Sequence, residues 1–246
     1  MRCLERHHTG HSTTGRPVIL LMYRIFMFTI TSAVLYIQVT TRSMRAFRYF
    51  TVWNWIAIIV YFFLSSISSI RWMTQPRRIQ KGKKPSLLDV VVTSMFHFIV
   101  PMTLFIDVVT WSILVPALVK HPDPERAEHW KNVMFSSISY MQHGGNAFIM
   151  FGEMMLNTIP NSDMWSHGVV ALWNLAFALW SFYFFWSTGE SLYPFLDYTK
   201  QSAYISFVSL FASGIGCSFL VQKFLKHKHA NFVGSSTVSP SVWKHD

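Results

Sequence analysis

Long apolar runs separated by short polar or basic stretches make up most of this chain, and no stretch shows sustained two-residue alternation. A helix needs about 20 apolar residues to cross hydrocarbon, whereas a barrel needs alternating strands of about 10 residues. The runs Val18–Gln38, Tyr49–Ile70, Val90–Val119, Val133–Ile159, Gly168–Gly189 and Ser202–Gln222 have the helical length. The pattern therefore predicts an all-α integral membrane bundle of six transmembrane helices. Arg2, Arg6 and Arg16 precede the first run as in a signal peptide. That run exceeds the roughly 7–15 residues of a signal h-region, so it reads as a retained span. Arg24 is expected to snorkel from near its end, and Pro101 to kink the third helix. Residues 16–226 then form the membrane domain, between a flexible basic N-terminus (1–15) and a flexible Ser-rich tail (227–246).

Composition agrees. Hydrophobic residues are 51% of the chain and charged residues 13%, about half the share in soluble domains. A water-soluble globule and a disordered chain are both excluded. The formal charge of +10 would suggest nucleic acid in a soluble protein; here it bears on topology. With six spans, the termini and the Arg71–Ser86 loop share one side and hold 13 basic residues, against 7 opposite. The positive-inside rule places both termini in the cytoplasm, in an endomembrane or the plasma membrane. Trp53, Trp55, Trp72, Trp111, Trp130 and Trp165 fall near span ends, as an interfacial belt would. Cys3 and Cys217 form neither a disulfide framework nor a metal site. The pairs His7/His8 and His227/His229 read as solvated tail or span-end residues. No cofactor, metal or nucleic-acid partner is expected.

Ionisable groups within a span cost at least ~2.5–3.5 kcal/mol at its centre, so each needs a partner or a task. His97, Asp107, His143 and Glu153 pose that question. His143 sits in Tyr140-Met-Gln-His-Gly-Gly-Asn146, with Tyr140 and Asn146 one turn away on its face. The glycine pair removes bulk and would let a helix or a ligand chain come close. Two readings stay open for His143: a hydrogen-bonding bridge between helices, or a catalytic base. Thr51 and Asn54 share a face where the second span begins. A lone threonine there most often bonds back to the preceding turn. Spans two and four run parallel, which puts Thr51 and His143 in the same half of the membrane. Glu153 is not on the face of His143, and Asp107 could orient that ring from the third span.

The segments Phe50-Thr-Val-Trp-Asn54, Gln142-His-Gly-Gly-Asn146 and Gly189-Glu-Ser-Leu-Tyr-Pro-Phe-Leu196 carry a resemblance. In this order and spacing, with six spans, the chain resembles the androgen-induced gene family of integral membrane proteins from about Tyr49 to Gln222. The resemblance implies a transmembrane threonine hydrolase that cleaves fatty acid esters of hydroxy fatty acids. It implies Thr51 as the nucleophile and His143 as its partner. The extended termini and the residues after His143 depart from the family pattern.

That chemistry is physically sound. A base must deprotonate a threonine hydroxyl before it attacks, and a neutral imidazole can do so and then protonate the leaving alkoxide. Asn54, Asn146 or Tyr140 could supply the oxyanion donors. No GxSxG elbow occurs, so the α/β-hydrolase scheme does not apply. The substrate would enter sideways from membrane lipid. The alternatives are a small transporter using His143, Asp107 and Glu153, and a non-catalytic adaptor whose basic loop meets anionic lipid.

Overall fold

The computed structural model describes residues 12–13, 16–42, 44–74, 86–159 and 163–236. Helix α1 is Pro17–Arg42 and α2 is Phe50–Thr74, joined through a 3-10 turn at Met44–Arg48. Helix α3, Leu87–Val109, opens on a capping box. Ser86 Oγ accepts the Asp89 N–H at 3.3 Å, and Asp89 Oδ2 accepts the Ser86 N–H at 3.0 Å. Ser68 Oγ donates to the other Asp89 oxygen at 3.0 Å, so this cap also ties α2 to α3. The helix runs through Pro101, takes a π turn at Thr110–Leu114 and ends as α4, Val115–Val119. A short charged helix follows, α5 at Pro124–Met134, capped by the Asp123 carboxylate.

The fourth apolar run is the one that departs from a plain span. It forms α6 (Ser137–Tyr140), a π turn (Met141–Gly145) and α7 (Asn146–Leu156), and its first residues belong to the end of α5. Gln142, His143, Asn146 and Glu153 are all buried along it. Helix α8, Asp163–Thr188, stops at Gly189, whose φ of +71° is the left-handed conformation glycine tolerates best. A 3-10 turn at Pro194–Leu196 leads into α9, Gln201–Ser236. No β-strand occurs among the described residues. Five helical stretches are long and apolar enough to cross a membrane: Pro17–Thr41, Phe50–Thr74, Leu87–Val119, Met164–Thr188 and Gln201–Asn231. These are the marks of a multi-pass membrane protein.

The second and third of these are the inner helices. About half of each apolar stretch is buried (50% and 56%), against 17% for the other three. Helix α3 touches α2, α7, α8 and α9, and α1 packs along α2. Phe96, Ile99 and Met102 on α3 meet Ile58, Tyr61 and Phe62 on α2 in the centre. The outer helices present their apolar side chains outward, as lipid-facing surfaces do.

Three expectations change. Arg24 does not snorkel: it is 0% exposed and pairs with Glu153, also 0% exposed, at 2.5 Å. Trp55 is buried at 1% exposure, its indole donating to the Thr31 carbonyl at 2.9 Å, and takes no part in an interfacial belt. Among the described residues, no other helix comes within 4 Å of a side chain placed on either glycine of the pair. A methyl group on Gly144 would meet open space, and one on Gly145 would meet Met141 of its own helix. The glycines instead lie in the π turn. The close helix approach falls at Gly152, where Tyr23 of α1 occupies the place of a side chain. The last helix continues to Ser236, past the expected start of the tail. Most of the basic 71–86 loop, residues 1–11 and residues 237–246 lie outside the described residues.

Candidate functional site

Two π turns from different helices meet at His143. A π turn inserts an extra residue into the helical repeat and leaves backbone groups outside the ordinary ladder, which is why such turns recur at functional sites. His143 has φ −126° and ψ 27°, outside the helical region. Its carbonyl accepts the Trp111 indole N–H from the π turn that ends α3. Its ring Nδ1 lies 3.2 Å from Thr110 Oγ1, the residue that opens that same turn. The Trp111 indole is also stacked on Tyr140, with ring centroids 5.5 Å apart. The histidine is thus fixed by both backbone and ring, and it is 7% exposed.

Thr110 stands apart from most helical threonines of this chain. Thr29, Thr31, Thr40, Thr41, Thr74, Thr103 and Thr188 all return their hydroxyl protons to carbonyls three or four residues back. Thr110 points its hydroxyl at an imidazole on another helix instead.

Beside this pair is a partly open apolar pocket. Phe105, Ile106 and Leu114 from the α3–α4 stretch line it, with Phe177 of α8, Leu196 and Phe207 of α9. Thr51 and Thr110 both line it, so residues from α2 and from the α3 π turn border one space. Thr51 is half-buried, and no hydrogen bond joins it to His143 among the described residues. His143 does not itself line the pocket, but its hydrogen-bond partner Thr110 does.

The beginning of α2 is held by the loop after α8. Tyr193 reaches across so that its hydroxyl accepts the Phe50 N–H at 3.1 Å. Its ring stacks on Phe195 at 5.3 Å, nearly parallel at 4°. Burial is the largest cause pushing the Tyr193 phenol above its ordinary value. The segments Phe50–Asn54 and Gly189–Leu196, far apart in sequence, therefore meet at Thr51.

The remaining buried polar groups sort differently. Glu153 takes Arg24, the Tyr61 hydroxyl at 2.8 Å and the Asn157 amide at 3.2 Å. Arg24 also donates to the Ser65 carbonyl at 3.0 Å and to Ser69 Oγ at 2.7 Å. Lys228 of α9 closes over the end of α7, donating to the Met154 and Asn157 carbonyls. His97 meets Gln222 at 3.2 Å, and Gln222 continues to Ser166 at 2.9 Å. Ser218 joins Ser166 at 3.1 Å and His167 at 2.8 Å, so this chain of bonds laces α3, α8 and α9 together. Such interhelical bonds are worth ~1 kcal/mol each in membrane bundles and act as glue.

Asp107 does not orient the His143 ring. It lies beside the Asn146 amide, with Oδ1 buried and unbonded among the described residues. Thr110 takes the orienting position. Of the expected oxyanion donors, Asn54 is 1% exposed with Oδ1 unbonded, and Asn146 Oδ1 accepts the Ala147 N–H at 2.8 Å. Tyr140 is 49% exposed and stacked on Trp111. None of the three lines the pocket. Sequence reasoning missed Thr110 and Tyr193. The signal for Tyr193 lay in the Gly189–Leu196 segment; Thr110 gave none, because nothing in a sequence marks a π turn. No family model, curated protein or solved structure matches the chain.

Proposed function

We propose that this chain is a six-span membrane enzyme with both termini cytoplasmic, which hydrolyses lipid esters, fatty acid esters of hydroxy fatty acids in particular. The observation that carries the reading is one apolar pocket onto which Thr51 opens together with Thr110, the hydroxyl bonded to His143. A largely hydrocarbon wall with a few polar groups suits an acyl chain. The segment Ser137–Leu156 acts as the sixth span, and its polar residues are tolerable because they face the bundle interior. In the endomembrane system or the plasma membrane, substrate reaches such a pocket from the surrounding lipid.

In this reading Thr51 Oγ1 attacks the ester carbonyl and its proton ends on His143. The carbonyl electron pair moves to oxygen as the C–O bond to Thr51 forms. Collapse expels the hydroxy fatty acid as an alkoxide, which takes the proton back from the imidazole. Water then attacks the threonyl ester by the same steps, releasing the second fatty acid and restoring the hydroxyl. Orientation of the imidazole by Thr110 and the apolar lining of the pocket are the physical supports.

A second reading has its own observation. Thr110 Oγ1 lies within hydrogen-bond reach of the base, the usual mark of an activated nucleophile. One experiment separates the two. Detergent-solubilised protein is treated with a fluorophosphonate activity probe. Thr51→Ala and His143→Ala are expected to lose labelling at normal expression. Loss in Thr110→Ala with full labelling of Thr51→Ala transfers the nucleophile to Thr110. Full labelling in all three variants removes the hydrolase reading.

A further inference from the structure

Ester hydrolysis at Thr51 needs a hydrogen-bond donor where the carbonyl oxygen becomes negative. The pocket has four polar side chains, Thr51, Thr110, Asn174 and Tyr193. Thr51 is the attacking group. Thr110 is engaged with His143. Asn174 donates to the Val170 carbonyl at 3.0 Å and faces the Met102 sulfur. Tyr193 keeps a proton uncommitted beside the nucleophile: its oxygen accepts the Phe50 N–H, and no acceptor for its own O–H occurs among the described residues.

We propose that Tyr193 is a further catalytic residue, whose hydroxyl donates to the oxyanion formed when Thr51 attacks the ester; this rests on the hydrolase reading above. The placement is favourable on several counts. The hydroxyl bonds to the residue adjacent to Thr51, so it sits at the nucleophile's own turn of α2. Accepting a backbone N–H polarises a hydroxyl and strengthens it as a donor. The ring is 8% exposed and held between Tyr49, Phe177 and Phe195, so the donor is fixed before substrate arrives. In an apolar pocket a preorganised donor of this kind acts on the transition state far more than on the bound ester. When the tetrahedral species collapses, the electron pair returns to carbon and Tyr193 keeps its proton throughout.

Steady-state hydrolysis of a fatty acid ester of a hydroxy fatty acid by purified full-length protein tests this. Tyr193→Phe is expected to lower kcat by about 10²-fold or more, with KM changed less than about threefold. That variant also leaves the Phe50 N–H without its acceptor. A second protein therefore carries 2,3,5-trifluorotyrosine at position 193, which keeps the acceptor and makes the phenol so much more acidic that even one raised by burial titrates within the range of the assay. Its alkaline limb of kcat against pH is expected to move to lower pH, because activity needs the phenol proton. A purely structural tyrosine would leave that limb in place. Near-normal kcat in Tyr193→Phe, or an unmoved alkaline limb in the fluorinated protein, overturns the proposal. An active Thr51→Ala protein would instead overturn the assignment of Thr51 as nucleophile on which it stands.

Discussion

Two buried polar clusters sit on α7 and its preceding turn, and they are built to opposite rules. Around Glu153 nearly every polar group is answered: one carboxylate receives a guanidinium, a phenol and an amide, and the guanidinium fills its remaining donors on α2. Around His143 the polar groups stand next to open space. Its Nδ1 meets the Thr110 hydroxyl, and the Tyr193 phenol has a proton to give. The second lies beside the apolar pocket that Thr51 and Thr110 line. Both consist of residues that hydrocarbon penalises. A saturated cluster serves as a fastening, so an ionisable residue within a span does not by itself indicate function.

The largest effect should come from breaking the saturated cluster. Arg24→Leu leaves the Glu153 carboxylate buried and unpaired, which costs about 3–5 kcal/mol. The expected result is a large fall in thermal stability in detergent and in folded yield. Arg24→Leu with Glu153→Leu together should recover much of that loss, since a well-packed apolar pair can replace a buried ion pair. If the double variant is no better than the single, the cluster is more than a fastening. Gly152→Ala sharpens the comparison at the same helix contact. Its new methyl would meet the Tyr23 hydroxyl and ring, and overpacking of this kind costs about 1–3 kcal/mol. Melting temperature should drop while the hydrolysis rate per folded molecule stays near normal.

Thr110→Val should act chiefly on the rate. It removes one hydroxyl with little change in shape and takes a partner from the buried His143 ring, so stability should fall by about 1–3 kcal/mol, less than in Arg24→Leu. The rate should fall about tenfold or more, because the imidazole loses its orienting partner. Thr110→Ser should restore most of the rate. The smallest effect lies outside both clusters, at the exposed turn before α9. The Thr199 hydroxyl, and then Lys200, hold the Asp197 carboxyl below its usual value. A depressed value means that this contribution is present above the unfolded-state value of about 3.9 and is lost as pH falls through the folded one. Asp197→Asn should therefore lower the melting temperature slightly at pH 7, with the difference closing in acid.

The helical class and the five apolar helices were legible in the sequence because hydrocarbon imposes a length and a composition on every crossing segment. His143 and Glu153 were legible as questions for the same reason. Which of them had an answer was not, because the partner of Glu153 is 129 residues away, on α1. Arg24 looked like a snorkelling residue since its position near a run's end is compatible with reaching water. Only the packing of α1 on α2 and α7 turns it inward. Thr110 was illegible because a threonine in an apolar helix satisfies itself locally, and the π turn that redirects it depends on the facing helix. The meeting of Phe50–Asn54 with Gly189–Leu196 was visible only as two separate segments.

Covalent capture tests the central claim most directly. Full-length protein labelled with the fluorophosphonate probe is digested, and the modified peptide is sequenced by mass spectrometry. The adduct is expected on Thr51, and it should be absent when His143 is replaced by alanine. An adduct at a residue that does not line the pocket, or labelling that persists unchanged without His143, would contradict the account.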